Sequence, residues 1–113
     1  MTHMNRLSAL IILMVLGFSH HTQAQVNVIA GLGATTCGRW IESRALKDTG
    51  VDNFLVAWVQ GFLSGMNAQA RIGHTIPGEP RLLASIDSFC QKNPEEPVYA
   101  ASLSLYSEIS KQQ

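Results

Sequence analysis

From Asn53 to Ala70 the chain reads NFLVAWVQGFLSGMNAQA, and its apolar residues recur at steps of three and four. Phe54, Leu55, Trp58, Val59, Phe62, Leu63 and Met66 fall on one wide face of a 3.6-residue helix. This period predicts a long central helix, capped by Asp52, running out near Arg71 and followed by Gly73 as a left-handed stop. Three shorter helices surround it in the same reading. The first starts at Thr36 or Cys37 and turns Trp40, Ile41 and Ala45 to one side, with Leu46 adjoining. Arg39, Glu42, Ser43 and Arg44 lie outward or at its rim, and the cluster Lys47-Asp48-Thr49-Gly50 breaks it. After a Pro/Gly-rich loop from His74 to Pro80, a third helix runs from Arg81 to Lys92. Its stripe is Leu82, Leu83, Ile86, Phe89 and Cys90. Asn93-Pro94-Glu95-Glu96 then reads as a start signal, with Asn as N-cap, Pro at the first position and Glu at N3. The last helix carries Val98, Ala101, Leu105 and Ile109 inward, Tyr99, Leu103 and Tyr106 on its flank, and Ser102, Ser104 and Ser107 mostly on its surface.

The N-terminal stretch changes the compartment. Arg6 precedes an apolar run from Leu7 to Phe18, and Thr22-Gln23-Ala24 places small residues at the −3 and −1 positions of a cleavage site. That pattern predicts a secretory signal peptide over residues 1–24. The run is too short to cross a hydrocarbon layer of about 30 Å, which takes about 20 helical residues, so no membrane span is expected after cleavage. Residues 25–35 read as a flexible lead-in and 36–113 as one helical domain. Without its leader the chain holds seven Lys or Arg and eight Asp or Glu. That balance gives no electrostatic footprint for nucleic acid. Two cysteines, Cys37 and Cys90, in a chain that reads as exported predict one disulfide; Cys90 shares the buried face of the third helix with Ile86, within reach of the first. The fold class expected is therefore all-α, four helices stapled by one bridge, in the periplasm or secreted.

Catalytic signatures are missing. His74, the one histidine after the leader, sits in the loop, reads as exposed, and has no Ser or Cys motif beside it. Two cysteines and one histidine make no zinc site. Gly31-Leu32-Gly33 lacks the Lys-Ser/Thr pair of a phosphate loop, and the cysteines are far from a Cys-x-x-Cys pair. Asp87 reads as facing water. The expectation is no enzyme, no catalytic residue, no cofactor and no metal. Surface chemistry remains. Phe54, Trp58 and Phe62 form an i, i+4 row that, with Met66, reads as core if covered and as a protein-binding patch if exposed. Gly61 and Gly65 cost a helix about 1 kcal/mol each relative to Ala. Close packing inside the fold is the expected compensation; contact with a partner chain is the alternative.

Two resemblances follow from these residues. Thr36-Cys37 opening the first helix, the apolar helix Phe54 to Asn67, and Cys90 ending the third resemble the HdeA/HdeB periplasmic proteins. Those are small helical domains whose single disulfide joins the flanking helices. This resemblance implies an acid-activated chaperone that shields unfolded clients. Trp58-Val59-Gln60-Gly61-Phe62-Leu63-Ser64-Gly65 and Asn93-Pro94 followed by Ala100 and Ala101 are similar to exported immunity proteins that neutralise type VI secretion effectors. That family has further cysteines, which this chain lacks. The functional expectation is an exported protein-binding module, inhibitory or immunity-type. An acid-stress chaperone and an accessory component of an envelope complex are the alternatives. Its partner is another protein, either one specific chain or unfolded clients, and a homodimer is open.

Overall fold

The computed structural model describes residues 29–112; the predicted signal peptide over residues 1–24 and the start of the predicted lead-in lie outside the described residues. Four helices follow a short 3-10 turn over Gly31–Ala34: α1 Cys37–Ala45, α2 Thr49–Ala70, α3 Glu79–Lys92 and α4 Val98–Lys111. The all-α architecture and the Cys37–Cys90 disulfide are those the hydrophobic pattern predicts.

The core is assembled from one stripe of each helix. Cys37 and Trp40 come from α1, Leu55, Val56, Val59 and Leu63 from α2, Leu82, Leu83, Ile86 and Cys90 from α3, and Val98, Ala101, Leu105 and Ile109 from α4. α3 and α4 lie antiparallel, so that Arg81 at the start of α3 donates to Gln112 Oε1 just past the end of α4 (2.8 Å). The disulfide pins the first residue of α1 to the last turn of α3 at a Cα separation of 4.7 Å.

Helix boundaries depart from the sequence reading at both ends of α2 and at the start of α4. Asp48, not Asp52, caps α2, its Oδ1 accepting from Val51 N–H at 3.0 Å. Half of the presumed breaker cluster is therefore helix, because a good N-cap outweighs one first-turn glycine. At the far end Arg71 takes the left-handed position (φ 54°), two residues before Gly73. Ile72 N–H returns to Asn67 O at 3.0 Å, and Asn67 Nδ2 binds His74 O at 2.8 Å, drawing the chain back before Gly73 is reached. Asn93-Pro94-Glu95-Glu96 does not cap α4, whose N-cap is Pro97 without a side-chain bond. It is a turn that serves α1 instead. Glu96 O accepts from Cys37 N–H (2.7 Å), Pro94 O from Gly38 N–H (2.9 Å), and Thr35 O from Val98 N–H (2.9 Å). Free N–H groups at a helix start need acceptors, and here the α3–α4 connection supplies them.

Ser102, expected at the surface, is fully buried and bonds Val98 O one turn back at 3.1 Å. That local bond satisfies its hydroxyl and lets it sit among the apolar residues of α4. Ala45, expected to face inward, is exposed, as is Leu46, because α1 ends there.

Of the lead-in, Gly31–Ala34 packs onto the Trp58 side chain of α2. Gly33 is buried there, and a Cβ on it would overlap the six-membered ring of Trp58. Gly33→Ala is expected to destabilise the domain by about 1–3 kcal/mol, the range for overpacking. It should also red-shift tryptophan emission as Trp58 is pushed outward. An unchanged melting temperature and spectrum would show that the turn is not seated on Trp58.

Candidate functional site

Two regions of the molecule carry more than core packing. One is a polar clasp at the junction of α1, α2 and α3. Arg44 on α1 reaches Asp52 Oδ2 on α2 at 2.7 Å and forks onto both oxygens of Asp87 on α3 at 3.0–3.2 Å. Asp87 also accepts the indole N–H of Trp40 at 2.7 Å. Asp87 therefore does not face water: it joins the buried Trp40 to Arg44, an arrangement that sequence spacing within α3 cannot show. These two carboxylates raise the Arg44 guanidinium well above its ordinary pKa, with the Asp87 hydrogen bonds the largest cause. A planar fork is the right shape for such bidentate work. Chemically the cluster is structural, since its charged groups pair with one another across three helices, while Asp52 Oδ1 is buried without a hydrogen-bond partner among the described residues.

The second region is the outer face of α2. From Asn53 to Ala70 this helix carries no charged residue. At about 100° per residue, Phe54, Gly61, Gly65 and Ala68 lie within about 40° of one line along it. All four are exposed, Phe54 to 64%. Among the described residues nothing lies within 4 Å of where a Cβ on Gly61 or Gly65 would sit. The sequence expectation of close packing at these glycines is thus corrected: no neighbouring helix reaches them.

The predicted aromatic row splits. Trp58 stacks on Phe62 with ring centroids 5.3 Å apart, and both are partly buried against the core. Phe54, one turn earlier, is exposed because it lies on the side of α2 away from its buried stripe of Leu55, Val59 and Leu63. Phe62 and Met66, half-buried, then form one wall of an apolar hollow of about 430 Å³ floored by Gly61 and Gly65. Its opposite wall is Tyr106 of α4, in edge contact with the partly buried His74 at 5.6 Å. Tyr106 and its contact with His74 escape sequence reasoning because they depend on how α4 and the 71–78 loop meet α2. The one signal available was that Tyr106 flanks, rather than joins, the stripe of α4.

If the glycines meet nothing inside the fold, filling them is free. Gly61→Ala and Gly65→Ala are each expected to stabilise the isolated chain by about 1 kcal/mol. That is a rise of about 4–8 °C in melting temperature for a domain of this size. A fall in either variant would place a neighbour on that face.

Among the described residues no group of three His, Cys, Asp or Glu side chains could hold a metal ion. No described helix is long and apolar enough to cross a membrane. Compared with protein-family models, curated proteins and solved structures, the chain finds no match in any of the three.

Proposed function

We propose that this chain is an exported, non-enzymatic protein-binding module, inhibitory or immunity-type, that engages its partner through the outer face of α2. One observation carries the reading. A helix that keeps two glycines and an exposed phenylalanine on one charge-free line gives up stability that no contact among the described residues returns. Backbone approach by another chain is what such a line accommodates, and the hollow beside it offers Phe62, Met66 and Tyr106 as apolar anchors. Export is supported by the leader-like segment and by a disulfide, which persists in oxidising compartments. The test uses immobilised full chain against cell-envelope extract at neutral pH. One protein should be retained in defined stoichiometry and lost with Gly65→Leu. Retention of nothing, or equal retention by the variant, would overturn the assignment of this face.

A second reading, the acid-stress chaperone, draws on the clasp. Three helices meet at Arg44, Asp52 and Asp87. Release of Arg44 from both carboxylates would loosen the α1–α3 contact over Trp40. Suppression of aggregation of unrelated clients at pH 2.5 but not at pH 7, read by light scattering, would favour this role. Absence of protection at both would discard it.

A further inference from the structure

The described chain starts on Trp58. Going back from α1, Thr35 O accepts from Val98 N–H at the start of α4 (2.9 Å), Gly33 is buried on the six-membered ring of Trp58, and a Cβ on Gly31 would lie 3.9 Å from Trp58 Nε1. Ile29, the first described residue, keeps its Cγ2 2.9 Å from the point where a Cβ on Gly33 would overlap that ring. The 3-10 turn touches both α2 and α4, and the apolar hollow opens between the same two helices. Met66 lies eight residues past Trp58 on α2, and Tyr106 eight residues past Val98 on α4. At 1.5 Å per residue each is about 12 Å beyond the turn. Turn and hollow therefore occupy one groove.

Residues 25–28, Gln-Val-Asn-Val, lie outside the described residues and are what the predicted mature chain adds before Ile29. Four extended residues span about 13 Å, enough to pass from the indole to Met66. Apolar and polar positions alternate among them. An extended chain turns Val26 and Val28 to one side, about 6.7 Å apart, and Gln25 and Asn27 to the other. The hollow repeats at nearly that interval, since Phe62 and Met66, like Gly61 and Gly65, are one helical turn or about 6 Å apart. None of its lining residues is charged, and neither is any residue from Gln25 to Ala34.

We propose that the segment Gln25–Val28 of the mature chain continues along this groove and closes the hollow, with Val28 on Phe62 and Val26 between Phe62 and Met66. Gly61 and Gly65 let an extended chain lie close against α2. The segment needs little affinity of its own, because so short a tether holds it at about millimolar effective concentration. This placement stands on the hollow alone. Where the reading of α2 as a binding face holds, on which this consequence rests, it adds regulation: a partner taking these anchors displaces the segment first.

Met66 reports on the segment without a label, being the one methionine from residue 25 onward and half-buried in the wall of the hollow. The chain is purified from the envelope fraction, its first residue read by intact mass, and treated with dilute peroxide at neutral pH. Sulfoxide at Met66 is followed by peptide mass spectrometry. Wild type is expected to oxidise several-fold more slowly than Val26→Ser with Val28→Ser, while both keep the same helical circular dichroism. Asn27→Ser, on the outward side, is expected to match wild type. Equal rates in wild type and the valine variant, or the same acceleration by Asn27→Ser, would overturn the proposal, as would an intact mass that lacks residues 25–28. Protection that grows with protein concentration would also overturn it, by putting the segment of a second copy in the hollow. These outcomes leave the binding reading to its own test, retention of a partner lost with Gly65→Leu. Where a partner is retained, the valine variant is expected to hold it more tightly.

Discussion

Removing the disulfide as Cys37→Ala with Cys90→Ala is expected to lower unfolding free energy by about 4 kcal/mol, the largest effect of any pair of substitutions in the domain. The bridge joins residues 53 positions apart, and closing a loop of that length in the unfolded chain is worth about that much on the chain-entropy account. A small domain has about 5–15 kcal/mol in total and sits toward the low end, so the variant should be partly unfolded at room temperature. The bridge also has leverage that loop length does not count. Cys37 is the first residue of α1, and its N–H binds Glu96 O, while the neighbouring Thr36 pairs with Pro97. Loss of the bond frees α1 from α3 at the point where the 93–97 turn caps it, so the backbone acceptors of that turn are lost together with the bridge. Both sulfurs are fully buried. Reductant should therefore act only at the rate of unfolding, and urea melts of the double variant are the cleaner measure. A midpoint shift equivalent to less than about 1 kcal/mol would contradict this account.

The second large effect is expected at Asp87. Asp87→Ala strands the indole N–H of the fully buried Trp40 and removes the fork that holds Arg44. Losing an acceptor from a buried donor costs about 1–3 kcal/mol, and breaking a charged hydrogen bond about as much. The carboxylate is about a quarter exposed, so solvent replaces part of the loss, and about 3 kcal/mol in all is expected. Asp87→Asn keeps an acceptor for Trp40 and should cost about 2 kcal/mol. In a double-mutant cycle with Arg44→Met, coupling of at least about 1 kcal/mol should appear; additivity would show that the fork contributes nothing. The pH dependence has a definite sign. Arg44 is raised above its ordinary value, so its contribution is complete below the unfolded-state pKa. It would be lost only as pH rises through the still higher folded-state value. The stability gap between wild type and Asp87→Ala is therefore expected to stay level between about pH 6 and 9, where the guanidinium is fully charged.

These two sites divide differently between sequence and structure. The cysteine pair was legible because its count, its compartment and the position of Cys90 on an apolar stripe all converge on one bridge. Asp87 was not. Its spacing along α3 says only that it lies beside the stripe, and whether it meets water or Trp40 and Arg44 depends on how α1 crosses α3.

By itself the sequence determined the elements. Four apolar stripes of helical period, separated by Pro, Gly and Asn clusters, specify four helices and which side of each is buried, because burial of apolar surface dominates and needs no knowledge of the partner. It also determined the disulfide and the uncharged stretch of α2 from Asn53 to Ala70. Tertiary structure alone decided what each rim position meets. Asp48 took over the boundary expected at Asp52 because its own carboxylate accepts from Val51 N–H, and Arg71 that expected at Gly73 because the hydrogen bonds at Asn67 draw the chain back. The 93–97 turn was diverted from capping α4 to capping α1, since α1's free N–H groups lie within its reach. Gly61 and Gly65 were legible as a cost but not as a surface. A helical period places a residue on a face, and only the placement of the other three helices leaves that face open.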